Sequence, residues 1–162
     1  MKILIMGGSG FVSGHTAREA LSRGCEVWCV TRGKRPAVPG VHPIQADRND
    51  TDALTAALSG MRFDAAVDCI CYTAEQARDD IRILGGVTDR LVIISTDSVY
   101  HPDHKTVPQN EEADVYLTDG LYGAKKREME LVFIRECPPA LRWTIFRPGH
   151  IFGPGSELGA YP

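Results

Sequence analysis

Short apolar runs alternate with longer amphipathic segments along the chain. Six runs have the length and residue types of buried strands, and they cover residues 2–6, 26–31, 41–46, 64–70, 90–95 and 141–146. Four segments carry apolar residues at helical spacing, and they cover residues 12–21, 50–58, 73–84 and 121–135. Because strands alternate with helices, the pattern predicts a parallel sheet covered by helices on both faces.

The number of strands makes this prediction more specific. Six strands with helices between them fit two mononucleotide-binding halves. We therefore expect a doubly wound, three-layer, Rossmann-like α/β fold with the strand order 3-2-1-4-5-6. The length of 162 residues, with 43% apolar and 24% charged residues, fits one folded domain.

Charge and cysteine content narrow the class of protein. Lys and Arg number 18 and Asp and Glu number 21, giving a net charge of −3. This balance argues against a protein that mainly coats nucleic acid or an anionic membrane. The first apolar run is too short for a signal peptide or a membrane span. Five cysteines without zinc-site spacing indicate reduced thiols, no metal centre and a cytoplasmic location.

A glycine-rich segment follows the first predicted strand and opens the first helix. It runs from Gly7 through Gly8 and Gly10 to Gly14. Glycines at this point let the backbone approach a pyrophosphate, while the helix N-terminus supplies free N–H groups. The position directly after a strand predicts dinucleotide binding. The alternative is a tight turn that binds no ligand.

The loops after the second and third strands bear on the choice of cofactor. Arg32, Lys34 and Arg35 stand where an acidic residue would contact the ribose hydroxyls of NAD. Cations there suit a 2′-phosphate and favour NADP over NAD, although a solvated basic loop is the alternative. Asp47, just after the third strand, is placed to approach the adenine ring.

A tyrosine and a lysine at the start of the last helix form a candidate catalytic pair. Tyr122 and Lys126 are spaced i, i+4 and share one helix face. A nearby ammonium lowers the pKa of a tyrosine, which then exchanges a proton with a carbonyl or alcohol during hydride transfer. Thr96 ends the fifth strand, at the sheet edge where ligands bind, and its hydroxyl suits the reacting oxygen. Taken singly, the tyrosine–lysine spacing also occurs by chance.

Four segments together resemble the NAD-dependent epimerase/dehydratase family, the extended short-chain dehydrogenases/reductases. They are residues 7–11, 95–100, 122–126 and 147–155. The resemblance implies a catalytic set of Thr96, Tyr122 and Lys126. It also implies cofactor contacts at Gly7, Gly10, Phe11, Val12, Asp47 and Pro148. From the residues themselves we add Arg32 for a 2′-phosphate and Lys126 for the nicotinamide ribose.

The resemblance implies a nicotinamide-dependent epimerase, dehydratase or reductase that acts on a nucleotide sugar or related carbohydrate. Two departures favour an alternative, a dinucleotide-sensing or RNA-binding regulatory protein on the same fold. Ser13 replaces the third loop glycine of the family, and the acidic residue after the second strand is absent. Both features resemble an atypical branch that includes chloroplast RNA-binding relatives.

The same resemblance suggests how the chain is organised. Residues 1–150 are expected to form the cofactor domain with the catalytic side chains. Residues 151–162, rich in glycine and proline, are expected to lead towards a carboxyl-terminal substrate domain that this sequence lacks. In relatives the helix at 121–135 also packs across a dimer, so a homodimer is a further expectation.

Overall fold

Six parallel strands form one sheet in the computed structural model, which describes residues 1–112 and 115–156. The strand order is β3-β2-β1-β4-β5-β6, as predicted. The strands are β1 (Lys2–Met6), β2 (Glu26–Thr31), β3 (His42–Gln45), β4 (Ala65–Asp68), β5 (Arg90–Ile94) and β6 (Arg142–Phe146). Residues 157–162 of the predicted exit segment lie outside the described residues.

Four helices flank the sheet, and local side chains cap two of them. The helices are α1 (Phe11–Ser22), α2 (Thr51–Leu58), α3 (Ala74–Asp79) and α4 (Tyr122–Glu136). The Asp50 carboxylate accepts a hydrogen bond from the Ala53 N–H at 3.0 Å and begins α2. The Thr73 hydroxyl accepts one from the Gln76 N–H and begins α3. A π-helical turn (Asp80–Leu84) extends α3, so the helix predicted at 73–84 is present in two parts.

Alternate residues of β1 pack into two different apolar clusters, one on each face of the sheet. Leu4 and Met6 join a large cluster with residues of α2, α3 and α4. Ile5 packs in a smaller cluster with Ala17 of α1. Successive strand side chains point to opposite faces, so the sheet is the middle of three layers. No helix joins β2 to β3, and three of the four helices therefore cover the same face.

The apolar stripe of α4 belongs to the larger cluster. Met129, Val132 and Phe133 are buried there. The homodimer suggested for this helix stays a prediction. Within the described part of the chain, no helix has the length and apolar character needed to cross a bilayer.

A buried ion cluster joins the loop after β3 to β4 and to the π-helical turn that extends α3. Arg48 donates to Asp68 at 2.6 Å and to Asp80 at 2.9 Å, and all three side chains are buried. Burial raises the pKa of Asp80 well above its ordinary value of 3.8, and the Asp68 charge raises it further. The cluster holds Arg48 in place and thereby positions its neighbour Asp47.

We expect Asp80→Asn to gain stability relative to the parent chain as the pH rises. Because the folded pKa of Asp80 is raised, folded Asp80 binds more protons than unfolded Asp80 above pH 3.8. This contribution to stability is full below pH 3.8 and is lost as the pH rises through the folded pKa. The asparagine variant lacks this loss, so its relative free energy of unfolding rises by about 1 kcal/mol or more between acidic and mildly alkaline pH.

Urea denaturation at several pH values measures this difference. Asp68→Asn is the matched comparison, because it removes the carboxylate at the shortest distance from Arg48. We expect that variant to cost about 1 to 3 kcal/mol at neutral pH, since Arg48 loses its shortest charged partner and keeps only Asp80. An Asp80→Asn variant whose relative stability falls as the pH rises would contradict this account of Asp80.

Candidate functional site

The glycine loop packs directly onto the end of β2. Gly7 and Gly8 have φ angles of +111° and +91°, which residues with side chains rarely adopt. A Cβ atom on Gly8 would lie 2.6 Å from the Cβ of Cys29. The Gly7 N–H also donates to the Val30 carbonyl at 2.9 Å. The loop therefore needs glycine at residue 8 to lie this close to the strand.

Helix α1 begins where the loop ends. Gly10 is its N-cap, and its N–H donates to the Ser13 hydroxyl at 3.1 Å. Phe11 and Val12 are the first residues of the helix and follow Gly10 directly. Ser13 is buried and its hydroxyl closes the loop, so this departure from the family pattern has a role inside the loop. The N–H groups of Phe11 and Val12 and the positive end of the helix dipole suit an anionic group.

A cleft of about 550 Å³ opens beside this loop. The structure brings four of the eight predicted cofactor-binding residues to its walls, namely Gly7, Gly10, Arg32 and Asp47. Lys34 and Arg35, the other cations of the basic loop, also line it, whereas Phe11, Val12, Lys126 and Pro148 do not. The three cations are exposed, and the Asp47 carboxylate accepts a hydrogen bond from the Asn49 N–H at 3.0 Å. The cleft thus places a cationic wall and a carboxylate beside the helix N-terminus.

A second cleft of about 850 Å³ shares Ser9, Gly10 and Arg35 with the first. Its other side is formed by the segment after β6, including Ile151 and Pro154. The sequence did not single out this cleft, because its two sides are about 140 residues apart in the chain. It extends the concave surface from the glycine loop towards the end of β6.

Thr96 and Tyr122 lie at the same edge of the sheet, on elements that touch. The Thr96 hydroxyl accepts a hydrogen bond from the Ser98 N–H at 3.1 Å and caps a short helical turn (Asp97–Val99). Tyr122 begins α4 and is 54% exposed. Its neighbour Gly123 packs so tightly on that turn that an added Cβ would collide with the Ser98 carbonyl oxygen. Sequence reasoning missed this requirement for glycine, which fixes Tyr122 beside Thr96.

Pro148 meets the same turn from the end of β6. Its carbonyl accepts a hydrogen bond from the Asp97 N–H at 2.9 Å. Thr96, Tyr122 and Pro148 therefore surround one short turn, although they are far apart in the chain.

Lys126 is almost fully buried, with 1% of its surface exposed. Its ammonium donates to the carbonyl oxygens of Cys71 and Ile94, both at 2.7 Å. Burial lowers the pKa of Lys126, while neighbouring groups including Glu130 act to raise it. The ammonium is thus held by the ends of β4 and β5.

Lys126 does not have the expected effect on the pKa of Tyr122. We expected a nearby ammonium to lower the pKa of the phenol. In the structure burial raises the pKa of Tyr122, and the Thr96 side chain acts in the opposite direction. Tyr122 is therefore protonated at neutral pH in this arrangement.

A buried carboxylate that sequence reasoning missed connects α4 to the strand ends. Glu130 is fully buried and receives two hydrogen bonds from Arg147, at 2.9 and 2.8 Å. Ser95 donates to it at 2.6 Å and Arg127 at 2.9 Å. Ser95 directly precedes Thr96, Arg147 directly precedes Pro148, and Glu130 lies one helical turn after Lys126. The Glu130 carboxylate therefore links the end of β5, helix α4 and the segment after β6. These elements carry the candidate residues Thr96, Tyr122, Lys126 and Pro148.

One group of potential metal ligands occurs among the described residues. Asp68, Cys71 and Asp80 offer ligand atoms within 4.8 Å of one another. Arg48 donates to both carboxylates, so the negative charge there already has a cation as its partner.

A protein-family model and two curated relatives match most of this chain. The model of the NAD dependent epimerase/dehydratase family matches residues 3–160. A 2'-dehydrokanamycin reductase of Streptomyces kanamyceticus is 30% identical over 80% of this chain and 37% of its own length. A chloroplast stem-loop binding protein of 41 kDa from Arabidopsis thaliana is 26% identical over 94% of this chain and 43% of its own length. The chain thus spans less than half the length of these two relatives.

Solved structures show the same fold. An epimerase/dehydratase-type protein of Methylobacillus flagellatus is 25% identical with a TM-score of 0.78, over 95% of this chain and 56% of its own. The UDP-glucose 4-epimerase of Thermus thermophilus, solved with NAD, is 21% identical with a TM-score of 0.76, over 97% of this chain and 58% of its own. The second likeness supports the fold alone.

We expect Glu130→Ala to destabilise the protein by about 3 to 5 kcal/mol, because it leaves two partly buried arginines without their carboxylate. Chemical denaturation followed by circular dichroism measures the loss. Glu128→Ala is the matched control, because Glu128 lies on the same helix but is exposed. We expect it to change stability by less than about 0.5 kcal/mol. Equal effects of the two substitutions would show that the Glu130 carboxylate does not hold α4 in place.

Proposed function

The chain belongs to the NAD dependent epimerase/dehydratase family, and from that membership we propose that it forms the cofactor-binding and catalytic part of a nicotinamide-dependent enzyme. The substrate we propose is a nucleotide sugar or a related carbohydrate, which is oxidised or reduced at one carbon by hydride transfer. One observation carries the proposal. The glycine loop with its cleft and the group of Thr96, Tyr122 and Lys126 lie at the same carboxyl edge of a parallel sheet. Ligands bind at this edge in folds of this type.

The first cleft is the proposed site of the adenosine half of the cofactor. Asp47 suits the adenine amino group as an acceptor, and the N-terminus of α1 from Gly10 to Val12 suits the pyrophosphate. Arg32, Lys34 and Arg35 supply cations for a 2′-phosphate, and we propose NADP as the preferred form. Lys126 and Pro148 would then lie towards the nicotinamide riboside.

The bound cofactor would supply the hydride acceptor or donor, and the side chains of this chain would move the proton. Since Tyr122 is protonated at neutral pH in the described arrangement, we propose that its hydroxyl donates a proton to a substrate carbonyl oxygen. The Thr96 hydroxyl would hydrogen-bond the same oxygen and align it. In the reverse direction the Tyr122 phenolate left by that transfer would take the proton back from the alcohol.

The choice of chemistry draws on the relatives. A reductase among them supports carbonyl reduction, and the family to which the chain belongs supports epimerisation or dehydration as the other options. We further propose that residues 1–150 form the cofactor domain and that substrate selection depends on a part of the protein that follows residue 150. The share of the relatives that the chain spans supports this division.

RNA binding is the second candidate, and two observations favour it. The Arabidopsis relative is named as a stem-loop binding protein. Arg32, Lys34 and Arg35 are exposed cations on one loop, and the structure shows no ion pair for them among the described residues. Binding of RNA to such a patch would weaken steeply as the salt concentration rises.

Titration with NAD and with NADP tests the central proposal. At a ligand concentration of about 100 times its Kd, we expect either cofactor to stabilise the fold by roughly 2.7 kcal/mol. Arg32→Ala combined with Arg35→Ala is expected to weaken NADP binding about tenfold or more and NAD binding much less, because only NADP carries the 2′-phosphate. Arg82→Ala is the control, since Arg82 lies away from the cleft and pairs with Asp79.

Thermal unfolding and calorimetry provide the measurements. Failure of both cofactors to stabilise the folded chain would remove the proposal. Binding of an RNA stem-loop with a steep salt dependence, in place of cofactor binding, would favour the second candidate.

Tyr122→Phe tests the catalytic assignment. We expect hydride transfer to fall by roughly 10²-fold or more, because the phenol that exchanges the proton is gone. The ring stays in place, so the cofactor Kd is expected to remain within about twofold. Stopped-flow or steady-state NAD(P)H absorbance with the full-length protein measures both quantities. Undiminished turnover by this variant would exclude Tyr122 as the proton donor.

A further inference from the structure

Tyr72 covers the ammonium group of Lys126. The Lys126 Nζ atom lies 5.2 Å from the centre of the Tyr72 ring, within the range of a cation–π contact. Lys126 is only 1% exposed, whereas Tyr72 is 45% exposed. The remaining close partners of the ammonium are the carbonyl oxygens of Cys71 and Ile94. The aromatic ring is thus the side of this enclosure that faces outward.

Tyr72 also forms part of the wall of the first cleft, which Lys126 does not line. Burial raises the pKa of the Tyr72 phenol, and the charge of the Tyr122 phenol raises it further. The Tyr72 side chain therefore lies between the cleft beside Asp47 and Lys126 of the candidate catalytic group.

The backbone around Tyr72 is held firmly, so the ring is the part that is free to move. The Tyr72 N–H donates to the Gln76 side chain at 2.8 Å, and the Cys71 carbonyl is bonded to Lys126. Tyr72 has no other hydrogen bond in the described structure that would fix its hydroxyl. Rotation of the side chain would uncover Lys126 without any change in the strand.

We infer that Tyr72 is a positioning residue for Lys126. Its ring holds the Lys126 ammonium against the carbonyls of Cys71 and Ile94. The ring has to rotate away before one ligand can extend from the cleft to the region of Tyr122. The inference rests on the proposed function in one respect, that the spanning ligand is a dinucleotide. The covering of Lys126 by the ring is independent of any ligand. A ligand that fills only the adenosine half, such as ADP, does not need to pass the ring.

Lysine acylation tests the covering directly. A small acylating reagent is applied at one pH, and peptide mass spectrometry follows Lys126 and its exposed neighbour Lys125, which serves as an internal control. In the parent protein we expect Lys126 to react roughly tenfold or more slowly than Lys125. Tyr72→Phe keeps the ring and is expected to protect Lys126 to within about twofold of the parent. Tyr72→Leu removes the aromatic face and is expected to speed Lys126 labelling about threefold or more, with Lys125 unchanged.

Ligand titration measures the Kd for the dinucleotide and for ADP. A purely structural role of Tyr72 would not change the ratio of these two values. Because the ring has to leave the ammonium before a dinucleotide binds, Tyr72→Leu is expected to bind the dinucleotide roughly threefold more tightly. The affinity for ADP is expected to stay within about twofold, and Tyr72→Phe is expected to restore parental behaviour in both titrations. Circular dichroism confirms that each variant is folded. If the leucine variant fails to fold, Tyr72→Trp replaces it and is expected to slow Lys126 labelling and weaken dinucleotide binding.

Lysine acylation and ligand titration together distinguish a failure of this inference from a failure of the proposed function. A parent protein that binds no dinucleotide but protects Lys126 through the ring would overturn the proposed function and leave the covering intact. Parental labelling of Lys126 at the rate of Lys125, or equal labelling in the leucine and parent proteins, would overturn the covering. A leucine variant with unchanged or weaker dinucleotide affinity would overturn the requirement that the ring move.

Discussion

A buried carboxylate stays ionised only where cations and hydrogen-bond donors surround it. Glu130 is such a carboxylate, and its partners have to lie at the carboxyl edge of the sheet. Its partners come from the end of β5, from α4 itself and from the segment after β6. If any of these elements shifts, a buried charge loses a partner at a cost of several kcal/mol (about 3 to 5). The positions of the neighbouring Thr96, Lys126 and Pro148 follow from the same requirement.

A second charged cluster acts in the same way on the other side of Cys71. Arg48 ties together the ends of β3 and β4 and the start of the π-helical turn. The Cys71 thiol lies beside Asp80, while the Cys71 carbonyl accepts from Lys126. One short segment after β4 is therefore clamped from both sides, and it carries Tyr72.

Much of this arrangement was predictable from the sequence, and the reason is local. The strands, the helices and their order follow from apolar periodicity, and the glycine loop follows from the need for positive φ angles at Gly7 and Gly8. The convergence of Arg32, Asp47 and Gly10 on one cleft follows from the rule that the ends of parallel strands meet at one edge. These features depend on residue type and on neighbours in the chain.

The remaining features depend on contacts between distant residues. Ser95 and Arg147 are 35 and 17 residues from Glu130, and nothing in their spacing points to a shared carboxylate. The partners of Lys126 are backbone carbonyls, which any residue supplies, so the sequence carried no sign of them. The direction of the Tyr122 pKa depends on burial, and an i, i+4 spacing does not report burial.

The lack of a helix between β2 and β3 leaves the connecting loop largely outside the core. Residues 32–37 are exposed, and the loop contacts the interior chiefly through Val38. Selection therefore acts on its cations with little penalty in folding stability, since exposed substitutions seldom cost much. The loop that we propose for the ribose end of the cofactor is therefore a separable module, which can be replaced by that of a relative without disturbing the buried charges near Glu130.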